Sequence, residues 1–148
     1  MVKRLSGLLM LLTLASTAAQ GSESPAQFDG YEIHYAALPS TFLDAKTARE
    51  YDLVRSRAVG LLNVSVHRTT GEDAPEPITV QLQGQTTNEA RQVKELSFKR
   101  VQEGDAIYYL AQFRYREGKT MVFEFEAAPY GESETLPVRF SRELYHDE

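Results

Sequence analysis

The sequence predicts a mainly β protein, an antiparallel seven-stranded β-sandwich of Ig-like architecture with one short helix. Three observations predict it. Between Glu103 and Ala127 the odd positions carry Ile107, Tyr109, Ala111, Phe113 and Tyr115, then Met121, Phe123, Phe125 and Ala127. That is a period of two held across a Gly-containing turn, the pattern of two half-buried strands, read here as a hairpin. Five further stretches alternate in the same way between Gly, Pro and polar turn residues. Only one stretch of the mature chain changes to a helical period. A small β-barrel is the alternative, because alternation fits either architecture. The chain has no Cys and no Trp, so the Ig-type Cys pair and buried Trp are absent and only the architecture is predicted.

Taken in order, the chain of 148 residues opens with Lys3 and Arg4, an apolar run from Leu5 to Leu14, and the small residues Ala15 to Ala19. A positive start, a short apolar run and a small-residue zone predict a secretory signal peptide over 1–19, cut after Ala18 or Ala19. The run is too short to span a bilayer as a helix, so no membrane insertion is expected after cleavage. Residues 20–30 are polar and small and read as a flexible leader; 31–145 read as one domain. Strand one, Tyr31 to Leu38, ends at Pro39, which cannot donate to a ladder. Asp44 is placed to cap a helix through Tyr51. Ala58 to His67 gives strand two, and Ile78, Val80 and Leu82 give strand three, ending near Gly84. Lys94 to Val101 reads as a single strand four, with Leu96 and Phe98 inward. The long alternating stretch supplies strands five and six. Leu136, Val138 and Phe140 supply strand seven, with Pro137 marking an edge position.

Lys and Arg total 16 against 21 Asp and Glu, a net charge of −5; loss of Lys3 and Arg4 makes it 14 − 21 = −7. An acidic chain with no basic run is a poor match for nucleic acid or an anionic membrane. The absence of Cys excludes disulfides, thiolate metal sites, cysteine nucleophiles and lipid attachment through cysteine. No cofactor is expected, and the sequence leaves the oligomeric state open.

The segments YEIHYAALPSTFL (Tyr31 to Leu43), RAVGLLNVSV (Arg57 to Val66) and EGDAIYYLAQF (Glu103 to Phe113) are distinctive in order and spacing. On them the mature chain resembles a family of exported Gram-negative bacterial proteins catalogued only as a domain of unknown function. The resemblance implies a signal peptide, a periplasmic location and a stand-alone β-rich domain. It implies no catalytic residues.

Chemistry-bearing patterns are sparse. No G-x-S-x-G nucleophile turn occurs. His34, His67 and His146 lack zinc-site spacing, although His34 and His67 lie on the polar faces of their strands and would meet if the strands pair. The metal reading rests on those two, against solvated or locally hydrogen-bonded side chains. Glu124 and Glu126 share one face of strand six and are expected to pair with Arg114 across the hairpin. Arg49, Arg55 and Arg57 form a cationic group suited to an acidic partner, or simply a solvated helix end. Tyr108, Leu110 and Val122 lie opposite the core-facing set. They form a partner-binding surface unless the helix or Leu38 to Leu43 covers them. The expected function is a periplasmic, non-enzymatic binding or accessory domain contacting an envelope protein or ligand. The alternatives are a metal-dependent or hydrolytic enzyme with a site assembled from distant strands, and a structural envelope protein.

Overall fold

The computed structural model describes residues 24–71 and 74–146. The expected signal segment 1–19 lies outside the described residues. Ten strands alternate in burial as the sequence does: β1 (Ala26–Phe28), β2 (Tyr31–Pro39), β3 (Val59–Arg68), β4 (Glu76–Pro77), β5 (Val80–Thr87), β6 (Val93–Leu96), β7 (Lys99–Glu103), β8 (Ala106–Arg114), β9 (Thr120–Pro129) and β10 (Leu136–Glu143). They form two antiparallel sheets. The first runs β1-β2-β3-β8-β7 with β4 beside β3, and the second runs β10-β9-β5-β6. Among the described residues no barrel closes, and β10, which carries Pro137, is an edge strand as expected.

The central stretch corrects the hairpin. β8 pairs with β3 and β7, whereas β9 pairs with β5 and β10. The link at Gly118, at φ 74°, therefore arches from one sheet to the other. The odd faces of the two strands point at each other across the core. Phe113 meets Phe123 edge-on at 4.8 Å, and Phe123 stacks on Phe140 at 4.7 Å. Alternation reports which side chains are buried and is silent about which strand is the neighbour. The expected ion pairs change accordingly: Glu124 accepts from Arg139 at 3.0 Å and Glu126 from Gln83. Arg114 stands in the other sheet, opposite Val59.

Two further expectations are corrected. Strand four is two strands, because the chain leaves the second sheet after Leu96 and joins the first at Lys99. Part of the leader is structured: Ala26 to Phe28 pair with Tyr31 to Ile33, turned by Gly30 at φ 81°. Ala26 and Phe28 pack against the core, and that contact holds the segment.

The outer face of the first sheet carries a second apolar cluster. Leu61, Val101 and Leu110 are buried there, packed against Leu38, Leu43, Tyr51, Leu53 and Tyr108. The cover is a 3-10 turn (Ser40–Phe42) followed by α1 (Ala45–Glu50), whose Asp44 cap accepts from the Thr47 N–H at 2.6 Å. Three side chains tie it down. The buried Ser40 hydroxyl donates to the Ser56 carbonyl and accepts from its N–H, both at 2.9 Å. Gln112 brackets the backbone of Val54, accepting from its N–H at 2.9 Å and donating to its carbonyl at 2.8 Å. Lys99 donates to the Tyr51 carbonyl at 2.6 Å.

Candidate functional site

The crossing from β6 to β7 opens the side of the sandwich. β6 pairs only with Gly84 to Thr87 of β5, and β7 only with Ala106 to Leu110 of β8. The other halves, Val80 to Gln83 and Ala111 to Arg114, have no partner strand on that side among the described residues. Each unpaired half borders an opening. The smaller, about 410 Å³, lies by Val80, Leu82, Phe98 and Tyr109. There the Tyr109 hydroxyl accepts the Val80 N–H at 2.8 Å, occupying a donor the ladder leaves over.

The larger cleft, about 960 Å³, runs between β6 and the far half of β8. Such a volume is of the size that holds a small ligand or a few residues of chain. Buried Phe113, Tyr115 and Met121 form its floor, and exposed Lys94, Arg114, Arg116 and Lys119 stand around it. Among the described residues none of these four cations is in an ion pair. Two carboxylates, Glu89 and Glu95, share the lining, and Glu89 already accepts the Thr120 N–H at 2.9 Å. The floor is braced from the C-terminal end: Tyr115 Oη lies 3.3 Å from His146 Nδ1, and His146 Nε2 lies 2.8 Å from Glu117. Burial, helped by Glu117, pushes the Tyr115 phenol up and keeps it protonated. Sequence reasoning missed this cleft. Leu96 and Phe98 keep their alternation through the crossing, because a chain that changes sheet keeps its inward face inward. Nothing in the pattern marks the place where the edge breaks.

The residues expected to bind are dispersed. Leu110 is 8% exposed beneath the α1 cover, and Tyr108 is half-buried beside it. Val122 lies on β9 in the other sheet, opposite Thr87 and Ser141. The structure does not bring the three onto one exposed face, because β8 and β9 are not neighbours. Arg49 sits in the last turn of α1, where it complements the helix dipole, and Arg55 and Arg57 are exposed on the following loop.

His34 and His67 do meet. β2 and β3 are adjacent, with Glu32 directly opposite His67, and the imidazoles stand edge to face at 5.1 Å. The Glu32 carboxylate contacts His34 Nε2 and accepts from Gln27 at 3.3 Å, while His67 Nδ1 is buried without a partner. Burial draws the Glu32 carboxyl up, but the Gln27 amide and both imidazoles outweigh it and hold it below the usual carboxylate range. Burial, then His34, pushes His67 down against the opposing pull of Glu32. The unfolded chain therefore takes up a proton near pH 6.5 that the folded His67 refuses. Its contribution to stability is complete above that pH and falls as the pH drops; Glu32 adds a further loss below the ordinary carboxyl value of 4.5. The melting temperature should fall between pH ~7.5 and ~5.5, and fall less in His67→Gln. Parallel melting curves for the two proteins would contradict this.

Comparison with known proteins places the fold. A search of curated proteins finds no match. The solved structure of a copper-bound variant of FetP from uropathogenic Escherichia coli strain F11 is 15% identical, with a TM-score of 0.60 over 83% of this chain and 95% of that one. FetP as isolated, expressed in the periplasm of Escherichia coli, is 14% identical, with a TM-score of 0.59 over 83% and 93%. At these identities the likeness is one of fold. A DUF4426 family protein of Pseudomonas aeruginosa PAO1 is 32% identical over 88% of this chain and 99% of its own, with a TM-score of 0.73. The family model described as a domain of unknown function, DUF4426, matches residues 25–147, and the chain belongs to that family.

Proposed function

We propose that this chain is a non-enzymatic binding or accessory domain of the bacterial envelope, and that its ligand or partner enters the cleft between β6 and β8. One observation carries the reading: in a chain of net charge −5, four cations in no ion pair among the described residues surround an open cleft with a buried aromatic floor. The lining includes no His and no Cys, and so offers no imidazole base or thiol nucleophile of the kind covalent catalysis uses. The positive, apolar and small-residue N-terminus supports an envelope location, as does the fold shared with FetP expressed in the periplasm.

A photo-crosslinking residue at Gln92, on the cleft wall, should trap a specific adduct in cells. The same residue at Arg139, exposed on the outer face of the second sheet, should not. The adduct should disappear when Arg114 and Lys119 are both changed to Glu. Equal labelling at both positions, or an adduct indifferent to the charge reversal, would refute the cleft as the binding site.

The copper of the FetP structure raises a second site, the His34 and His67 pair with Glu32. Two imidazoles and a carboxylate are donor types that copper and zinc accept. Their placement does not fit: among the described residues no three such side chains are arranged to hold one ion, and Glu32 already contacts His34. Copper(II) titration should therefore show no equivalent of binding that depends on both histidines. One equivalent lost in His34→Ala and in His67→Ala would establish the metal site instead.

A further inference from the structure

We propose that the cleft receives an extended, acidic peptide segment of a partner protein, which adds as a strand to the open half of β8. The proposal rests on the reading of the cleft as the binding site and names what fills it. The Tyr115 N–H bonds back to the Ala58 carbonyl at 3.0 Å, towards β3. Backbone groups alternate in direction along an antiparallel strand. Gln112 and Arg114 therefore aim their N–H and C=O groups to the opposite side, where β7 would run if it were longer. β7 stops short, its last partner being Lys99 opposite Leu110. The result is a strand edge in line with β7, open along one wall of the larger cleft, which Gln112 and Arg114 themselves line.

An exposed edge attracts added strands, and natural proteins blunt most such edges with Pro, covering segments or charge. The other unpaired half-edge is partly blunted, since Tyr109 takes up the Val80 N–H. Beside β8 the charges are Arg114, Arg116, Lys119 and Lys94 against Glu89 and Glu95, four positive to two negative. Charge of this kind repels the same cleft edge of a second copy and attracts an acidic segment. The main chain would supply affinity, and the cations would select alternate acidic side chains.

The probe is a display library of short random peptides selected on the folded chain. Enrichment of acidic residues at alternate positions is expected. A selected peptide should slow hydrogen exchange at the Gln112 and Arg114 amides. It should weaken about tenfold against Arg114→Glu with Lys119→Glu. Methylating the peptide nitrogens on the pairing edge should abolish binding, while methylating those on the other edge should leave it. Enriched peptides that are neutral or basic would overturn the proposal. Acidic peptides that bind in the cleft without protecting those amides, and tolerate methylation on either edge, would overturn strand addition and leave the cleft as the binding site. Selected peptides that bind, unaffected by the charge reversal, outside the cleft would remove both readings.

Discussion

Truncating Phe123 to Ala should lower the unfolding free energy by about 3–5 kcal/mol. Phe123 is fully buried, at 0% exposure. Its ring stacks on Phe140 of the adjoining strand, with ring planes only 9° apart, and meets Phe113 of the opposite sheet edge-on. It thus joins lateral packing within the second sheet to the contact between sheets. Removing it opens a hole whose walls are two other aromatic rings anchored on different strands, and rings held in that way collapse poorly into the space. Chemical denaturation should show a lower midpoint with an unchanged slope. Phe98, half-buried and only edge-on to Phe125 at 6.3 Å, should tolerate the same truncation with a smaller loss. A loss below about 1 kcal/mol for Phe123→Ala would contradict the packing described, since large losses follow from core cavities and small ones from surface sites.

Burial was the legible part of this fold, and adjacency was not. The alternation around Phe113 and Phe123 predicts both side chains to be inside, and they are. It also suggested that their strands pair, and they face each other across the core instead. A strand paired in a hairpin and a strand arched onto a second sheet need the same alternation. The deciding residues are the few at the link around Gly118, which serve either geometry. The helix was legible because its signals are local: Asp44 caps it, and the flanking apolar residues Leu43 and Tyr51 rest on the sheet.

The candidate site was illegible for a related reason. Lys94 comes from β6, whereas Arg114, Arg116 and Lys119 come from the end of β8 and the turn after it, and the two segments converge only because β6 and β7 divide one edge between two sheets. No spacing rule connects them. The reverse holds for Tyr108 and Leu110, whose apolar character was plain. Their cover depends on Ser40, Gln112 and Lys99 fastening the α1 segment over them, and polar residues scattered along a sequence do not announce that role. His34 and His67 fall between these cases. Their strands are consecutive long strands, so pairing was a fair expectation, and only the engagement of Glu32 by His34 required the structure.

Gly84→Ala should be the most damaging small substitution, at about 3 kcal/mol, towards the upper end of the cost of overfilling a packed interior. Gly84 reads in sequence as the end of a strand, but β5 continues through it to Thr87, with Phe125 directly opposite on β9 and Leu96 on β6. A Cβ at this position would lie 2.5 Å from the Glu124 carbonyl oxygen and 2.9 Å from the Phe125 Cα. Those are backbone atoms held in a ladder, and they can retreat only by spreading the strands of the second sheet. Gly60 provides the comparison. It faces Phe113 in the first sheet, and an added Cβ there would strike the far end of the Phe113 ring, a side chain and not the backbone of a ladder. Gly131 lies in the left-handed region at φ 82°, with open space where a Cβ would go, so Ala there meets strain without collision. The expected order of destabilisation is Gly84→Ala, then Gly60→Ala, then Gly131→Ala, where about 1 kcal/mol is typical of the backbone effect alone. Thermal and denaturant unfolding of the three variants gives the order directly. If Gly84→Ala proved no worse than Gly131→Ala, the close approach of β5 to β9 would be wrong.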